Sequence, residues 1–300
     1  MNYNTKMFSR ELVLASNLKI NRLIQKQKHL LDFLKDFLMA TNQVDQIENC
    51  YCFVELTIKI RLNLEVANDL LPKLNDDYRF KTSINLVYRS IIDDMINAFY
   101  LSGFVLKDDD RQVSLANELK ILHKEFLNSS SKGIEADNEH LLFIYDALNK
   151  TPPKFEDFRQ EIMNDNPELF ENGELKNNKK LRQTSNPILQ ELLKDTGGAK
   201  FITEEKKLEF IAQRYSNIAP ALKGLFKYLS QFQHYSPKMH EIVLSDAELD
   251  IETYNRCLFQ ILHLVDFFLN FIVLNDPEHF KRYFKELMAI IIDVNEAEDQ

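Results

Sequence analysis

The chain reads as all-α, and three observations carry that reading. Apolar residues recur at spacings of three, four and seven along most of the sequence. No segment alternates apolar and polar residues over a useful length. Only six glycines occur in 300 residues, too few to supply the tight turns of a many-stranded fold. The predicted architecture is a bundle of about five or six long antiparallel helices. An irregular, partly helical insertion is expected around 150–200, within a single all-helical domain spanning 1–300. No fixed-period repeat of the solenoid kind is present.

The first helix is expected over about 6–40, where Leu14, Leu18, Ile24, Leu31, Leu34 and Leu38 share helical spacing. A second runs to Pro72 from about 44, with a polar stripe Glu55, Lys59, Asn63 and an Arg61–Glu65 pair. The third, about 77–104, follows the capping cluster Asn75-Asp76-Asp77. It is apolar on most sides: Ile84, Val87, Tyr88, Ile91, Met95 and Phe99 form one face, and Ile92 and Ile96 a second. That pattern marks a central helix. A fourth helix, about 109–128, is expected to break at Ser129-Ser130-Ser131-Lys132-Gly133. A fifth, about 136–149, is closed by Pro152-Pro153. Short helices near 154–164 and 187–195 lie in the polar insertion. Thr203 caps the next helix, and another covers about 217–233. Ser245 to Glu248 form a capping box that opens a long helix to about 274. Asn275-Asp276-Pro277 ends it and starts the last one.

Composition removes several function classes. The net charge of −9 and a pI near 5.4 argue against broad DNA or anionic-membrane binding. No glycine-rich phosphate loop, HExxH, ExxH, His-Asp or GxSxG sequence occurs, and no cofactor or metal is called for. The N-terminal MNYNTKMFSRELVL has no apolar core of a signal peptide. The apolar run Leu258–Leu274 is interrupted by Gln260, His263, Asp266 and Asn270, so it reads as a buried helix rather than a membrane span. Cys50, Cys52 and Cys257 form no redox or zinc pattern. The expected setting is a reducing bacterial cytoplasm.

Three constellations stand out. On the third helix Arg89 and Asp93 lie four apart and can pair among apolar neighbours, where an unpaired charge is costly. The same helix carries Asp93-Asp94-Met95-Ile96-Asn97, a loose echo of the metal-binding DDxxD of terpene synthases, but the second motif of that family is missing. Next, Ser230 and His234 share the last turn of a later helix, where the dipole favours a charged imidazole. His240 follows across a loop. Last, Arg256, Gln260, His263, Asp266 and Asn270 form one polar stripe on the long C-terminal helix. A basic cluster, Lys176, Lys179, Lys180 and Arg182, reads as a solvated loop. Gly224 is the one glycine expected inside a helix, less than three turns before Ser230.

Arg256 and His263 fit the Rx4–6H spacing of HEPN ribonucleases, as do Arg22 and His29. Tyr88-Arg89-Ser90-Ile91-Ile92-Asp93 resembles the R-S-[LI]-x-[ED] element of a bacterial helical family, domain of unknown function 5677. Its partner element, L-S-x-x-x-H, is matched by Leu229, Ser230 and His234. The family is considered HEPN-like in architecture. The resemblance implies a polar pocket inside the bundle built from Arg89, Asp93, Ser230 and His234. In the leading expectation this pocket binds a nucleotide or RNA phosphate: Arg89 anchors, Asp93 orients, and His234 is the acid or phosphate ligand. The alternatives are a non-catalytic helical interaction or homodimerisation protein, and a HEPN-type ribonuclease of a toxin or phage-defence system using Arg256 and His263.

Overall fold

The computed structural model describes residues 10–41, 51–104, 111–154, 158–182, 203–233, 247–273, 281–283 and 285–290. The fold is all-α, with helices α1 (Arg10–Thr41), α2 (Tyr51–Leu70), α3 (Lys81–Ser102), α4 (Arg111–Ala147), α5 (Phe158–Asp165), α6 (Asn178–Arg182), α7 (Glu204–Arg214), α8 (Ile218–Ser230) and α9 (Glu248–Val273). The chain groups into two compact units: Met1–Tyr100 with Lys207–Gln300, and Leu101–Lys206.

In the first unit α1 packs on α2 and α9. The buried line of α1 runs through Ile20, Leu23, Gln27, Leu30, Leu34 and Phe37, whereas Leu18 is exposed. α2 turns Phe53, Val54, Ile60 and Leu64 inward and ends at a 3-10 turn opened by Pro72. There the ring fixes φ and no amide is missed. The Asp77 carboxylate accepts from the Arg79 amide at the next 3-10 turn, which leads into α3. α3 is the central helix: Ile84, Tyr88, Ile91, Ile92, Met95, Ile96 and Phe99 are all fully buried. α9 completes the core with Ile251, Tyr254, Leu258, Ile261, Val265 and Phe268. Residues 281–283 and 285–290 are helical, and Tyr283 sets its ring edge against Phe33 and Phe37 of α1. Among the described residues no helix is long and apolar enough to cross a membrane. The capping sequence Ser245-Asp246 and the breaker Asn275-Asp276-Pro277 lie outside the described residues.

α8 carries Gly224 in its interior. A Cβ there would meet only Arg256 Nη2, at 3.6 Å, an ordinary contact. Gly224→Ala is therefore expected to raise stability by roughly 0.5–1 kcal/mol, since helical Gly costs unfolded-chain entropy that Ala does not. Urea unfolding of the variant checks this.

The second unit corrects the expectation of a break at Ser129–Gly133. α4 runs through that segment without interruption, so the two helices read from the sequence are one. Three serines and a glycine each cost a fraction of a kcal/mol to about 1 kcal/mol in a helix. Stopping and renucleating costs more, because the first turn of a new helix fixes several residues for one hydrogen bond. The helix ends where Asn149 takes a left-handed φ of 49°. There the Lys150 amide donates to Tyr145 O and the Asn149 amide to Asp146 O, both at 2.9 Å, which satisfies two terminal carbonyls. The insertion holds α5, α6 and a two-stranded hairpin, Phe170–Glu171 with Glu174–Leu175, turned by Asn172-Gly173 at φ 53° and 78°. Asn-Gly is the residue pair such a turn prefers. A small core of Ile121, Leu169 and Leu181 joins these elements. The helix expected at 187–195 lies outside the described residues.

Candidate functional site

α3 brings polar groups to the middle of an apolar bundle, with Arg89 and Asp93 one turn apart on the same side. Arg89 is 6% exposed. Its Nε donates to Ser230 Oγ of α8 at 2.9 Å, joining residues 141 apart in sequence. The guanidinium carbon lies 3.9 Å from the centre of the Phe226 ring, a cation–π contact. Nη1 forms an ion pair with Asp93 Oδ1, although the contact lacks hydrogen-bond angles. Ser230 Oγ in turn donates to Phe226 O at 2.6 Å, so the hydroxyl is fixed before Arg89 reaches it. Arg89, Asp93 and Ser230 thus meet, and Phe226 is a fourth member that the sequence reading missed. Its signal was the spacing to Ser230, one helical turn. His234 and His240 lie outside the described residues.

The opposite flank of α3 carries Asp94, which is 2% exposed. Lys59 of α2 donates to Asp94 Oδ1 at 2.7 Å, and Asn63 Nδ2 approaches Ser90 Oγ at 3.4 Å. Two of the three residues in the polar stripe of α2 thus serve α3. Burial pushes the Asp94 carboxyl above the usual carboxylate range; Lys59 pulls it down and Asp93 pushes it further up. The folded state therefore holds that proton more tightly than the unfolded chain does. Its stabilising contribution is full below the unfolded pKa and is lost as pH rises through the raised folded value. Asp94→Asn mimics the protonated form. It is expected to unfold at a higher temperature than wild type at neutral pH, with the gain vanishing in acid. Thermal melts across that range check it.

A second polar cluster was not read from the sequence. Lys81, fully buried at the start of α3, places Nζ 3.5 Å from Asp250 Oδ2 in the first turn of α9. Asp250 Oδ1 accepts from Asn85 Nδ2 at 2.8 Å and from the Tyr228 hydroxyl at 3.0 Å. Nearby, the rings of Tyr88 and Tyr254 stack 4.5 Å apart, and the Tyr88 hydroxyl donates to Gln27 Oε1 at 2.7 Å. Gln27 Nε2 donates to Leu64 O at 2.7 Å. This chain of contacts ties α1, α2, α3, α8 and α9 together.

On α9, Arg256 is exposed and His263 half-buried. The His263 ring meets Phe259 edge-on at 4.4 Å. Burial lowers its pKa, partly offset by Asp266, so the ring is held on its neutral side near pH 7. Gln260 is buried, so the polar stripe of α9 is not a uniformly solvated face. Cys52 and Cys257 are free thiols, and burial pushes Cys52 up to about 11. Among the described residues no group of three or more His, Cys, Asp or Glu could hold a metal ion. No known protein family, curated protein or solved structure matches the chain.

Proposed function

We propose that this chain is a non-catalytic helical interaction protein and that the far half of α4 is its contact element. One observation carries the reading. Leu141-Leu142-Phe143-Ile144-Tyr145 are five apolar residues in succession, and at about 100° per residue they pass right round the helix. Yet Leu141, Leu142 and Phe143 are 40%, 44% and 70% exposed. A helix apolar on all sides belongs in a buried setting, so a partner is the natural cover. The polar groups of the core support the same reading, since Arg89, Lys81 and Asp250 are each engaged by other side chains of this chain. A photo-crosslinking residue in place of Leu142, expressed in cells, is expected to attach to a protein. Capture of nothing but solvent would overturn the reading.

A second reading has its own observation. The Arg89–Ser230 hydrogen bond joins the two short motifs that resemble the HEPN-like family. Under it the chain is a bacterial cytoplasmic protein that binds a nucleotide or RNA phosphate beside Arg89, with His234 as acid or ligand. Thermal-shift titration with nucleotides and short RNA tests it. A shift in wild type that disappears in Arg89→Met supports phosphate binding, and no shift at saturating nucleotide removes it.

A further inference from the structure

The bare side of α4 has a period of its own. Phe126, Ser129, Gly133, Ala136, His140 and Phe143 alternate spacings of three and four, and Ala147 continues the line. Every one of them is exposed. Phe126 and Phe143 are the two most exposed large apolar side chains among the described residues, at 66% and 70%. Alternating three-four spacing is the seam of a paired helix. Along the same stretch Ile134, Asn138 and Tyr145, on the other side of α4, are half-buried, and Ile144, also half-buried, borders the seam. The seam is therefore a separate face.

From this we infer that α4 pairs antiparallel with α4 of a second copy of the chain. The inference rests on the interaction reading above and names its partner. Self-complementarity argues for a copy. In an antiparallel pair with its two-fold axis between Ile134 and Glu135, Phe126 lies opposite Phe143 of the other copy. Ser129 lies opposite His140, and Gly133 opposite Ala136, so the six positions from Phe126 to Phe143 meet in pairs of equal rank, as an isologous contact requires. Bulk sits at both ends and small residues at the centre, where the backbones come closest. Charge agrees with this arrangement. Lys132 and Glu139 sit on the same flank of the seam, and in antiparallel helices each faces the other's counterpart, giving two Lys–Glu pairs by symmetry.

Gly133 is an independent sign. It lies inside a continuous helix, and a Cβ added there would meet nothing within 4 Å. Among the described residues nothing requires the glycine, although helices disfavour it. A close approach by a backbone from outside explains it. The contact is modest in size. A seam from Phe126 to Ala147 is about 33 Å long and about 10 Å wide, short of the roughly 800 Å² per partner in a standard stable interface. Association is therefore expected at micromolar concentrations or weaker.

Sedimentation velocity of the full chain, across a concentration series reaching the high micromolar range, tests this. Wild type is expected to move from monomer to dimer. Gly133→Leu should abolish the dimer while raising the melting temperature, because Leu favours the helix and has space in the monomer. A lost dimer in that variant therefore cannot be blamed on unfolding. Lys132→Glu should weaken the dimer about tenfold through two symmetry-related pairs, and adding Glu139→Lys should restore it. A wild-type chain that stays monomeric throughout, or a dimer untouched by Gly133→Leu, overturns the inference. Crosslinks from position 142 to a different protein would then still support the interaction reading, so the two fail separately.

Discussion

Asp250→Ala is expected to lower the free energy of unfolding by about 3–5 kcal/mol, the range for removing one partner of a buried ion pair. Lys81 is 0% exposed and Asp250 2%. Taking away the carboxylate removes a buried counter-charge of the Lys81 ammonium and opens a cavity beside it. It also strips the acceptor from Asn85 Nδ2 and the Tyr228 hydroxyl. Those two losses add to the penalty, since a buried donor without an acceptor costs about 1–3 kcal/mol. Burial and the neighbouring carboxylate together hold the Tyr228 phenol well above its ordinary pKa, so it stays a donor throughout the range of folding. The double variant Asp250→Leu/Lys81→Met removes both charges and is expected to recover much of the loss, because the pair's desolvation penalty goes with it. Urea midpoints at constant m-value measure each step. A single-variant loss below about 1 kcal/mol would place the pair in water and not in the core.

The two clusters on α3 differ in how far the sequence revealed them, and the difference is physical. Arg89 and Asp93 are four apart on one helix, so their pairing follows from helical period alone. That Arg89 also reaches Ser230 needed the two motifs to be set side by side. Lys81 and Asp250 gave no such sign. An Asp in the first turn of a helix is what the helix dipole favours, so nothing local sets Asp250 apart from an ordinary terminal acid. Its bond to Asn85 spans 165 residues, and no local pattern encodes that. The burial of α3 was legible because apolar residues occupy most of its circumference. The continuity of α4 was not, because Ser-Ser-Ser-Lys-Gly is a loop by propensity, and only the cooperativity of a long helix carries it through. On α1 the period was right, but Leu18 proved exposed: one helical stripe can be drawn through more apolar residues than the core takes in. Asn172-Gly173 is a plain hairpin signal, set in a polar segment with short helical stretches on either side.

Arg89→Ala is expected to cost about 2–5 kcal/mol. The hydrogen bond from its charged Nε to Ser230 contributes about 1.5–3, and stacking on Phe226 about 0.5–2. The freed Asp93 adds less than a fully buried carboxylate would, because its side chain is 36% exposed, although Oδ1 itself is buried. Two further substitutions make the residue report on function as well as stability. Arg89→Met keeps the long apolar stem against Phe226 and removes the charge, so it should cost only about 1 kcal/mol. Arg89→Lys keeps the charge but has no planar group to stack and no Nε to reach Ser230. In a site 6% exposed, a poorly partnered ammonium is worse than no charge, so Lys should be the less stable of the two. Binding orders them the other way. A phosphate ligand needs the cation, so Lys would retain part of a nucleotide-induced thermal shift and Met none. If Met is the more stable variant and no nucleotide shifts any of the three, Arg89 is a core residue that locks α3 to α8. If instead Lys keeps a shift that Met loses, the buried guanidinium is a binding group, and its contacts with Ser230 and Phe226 position it for a ligand.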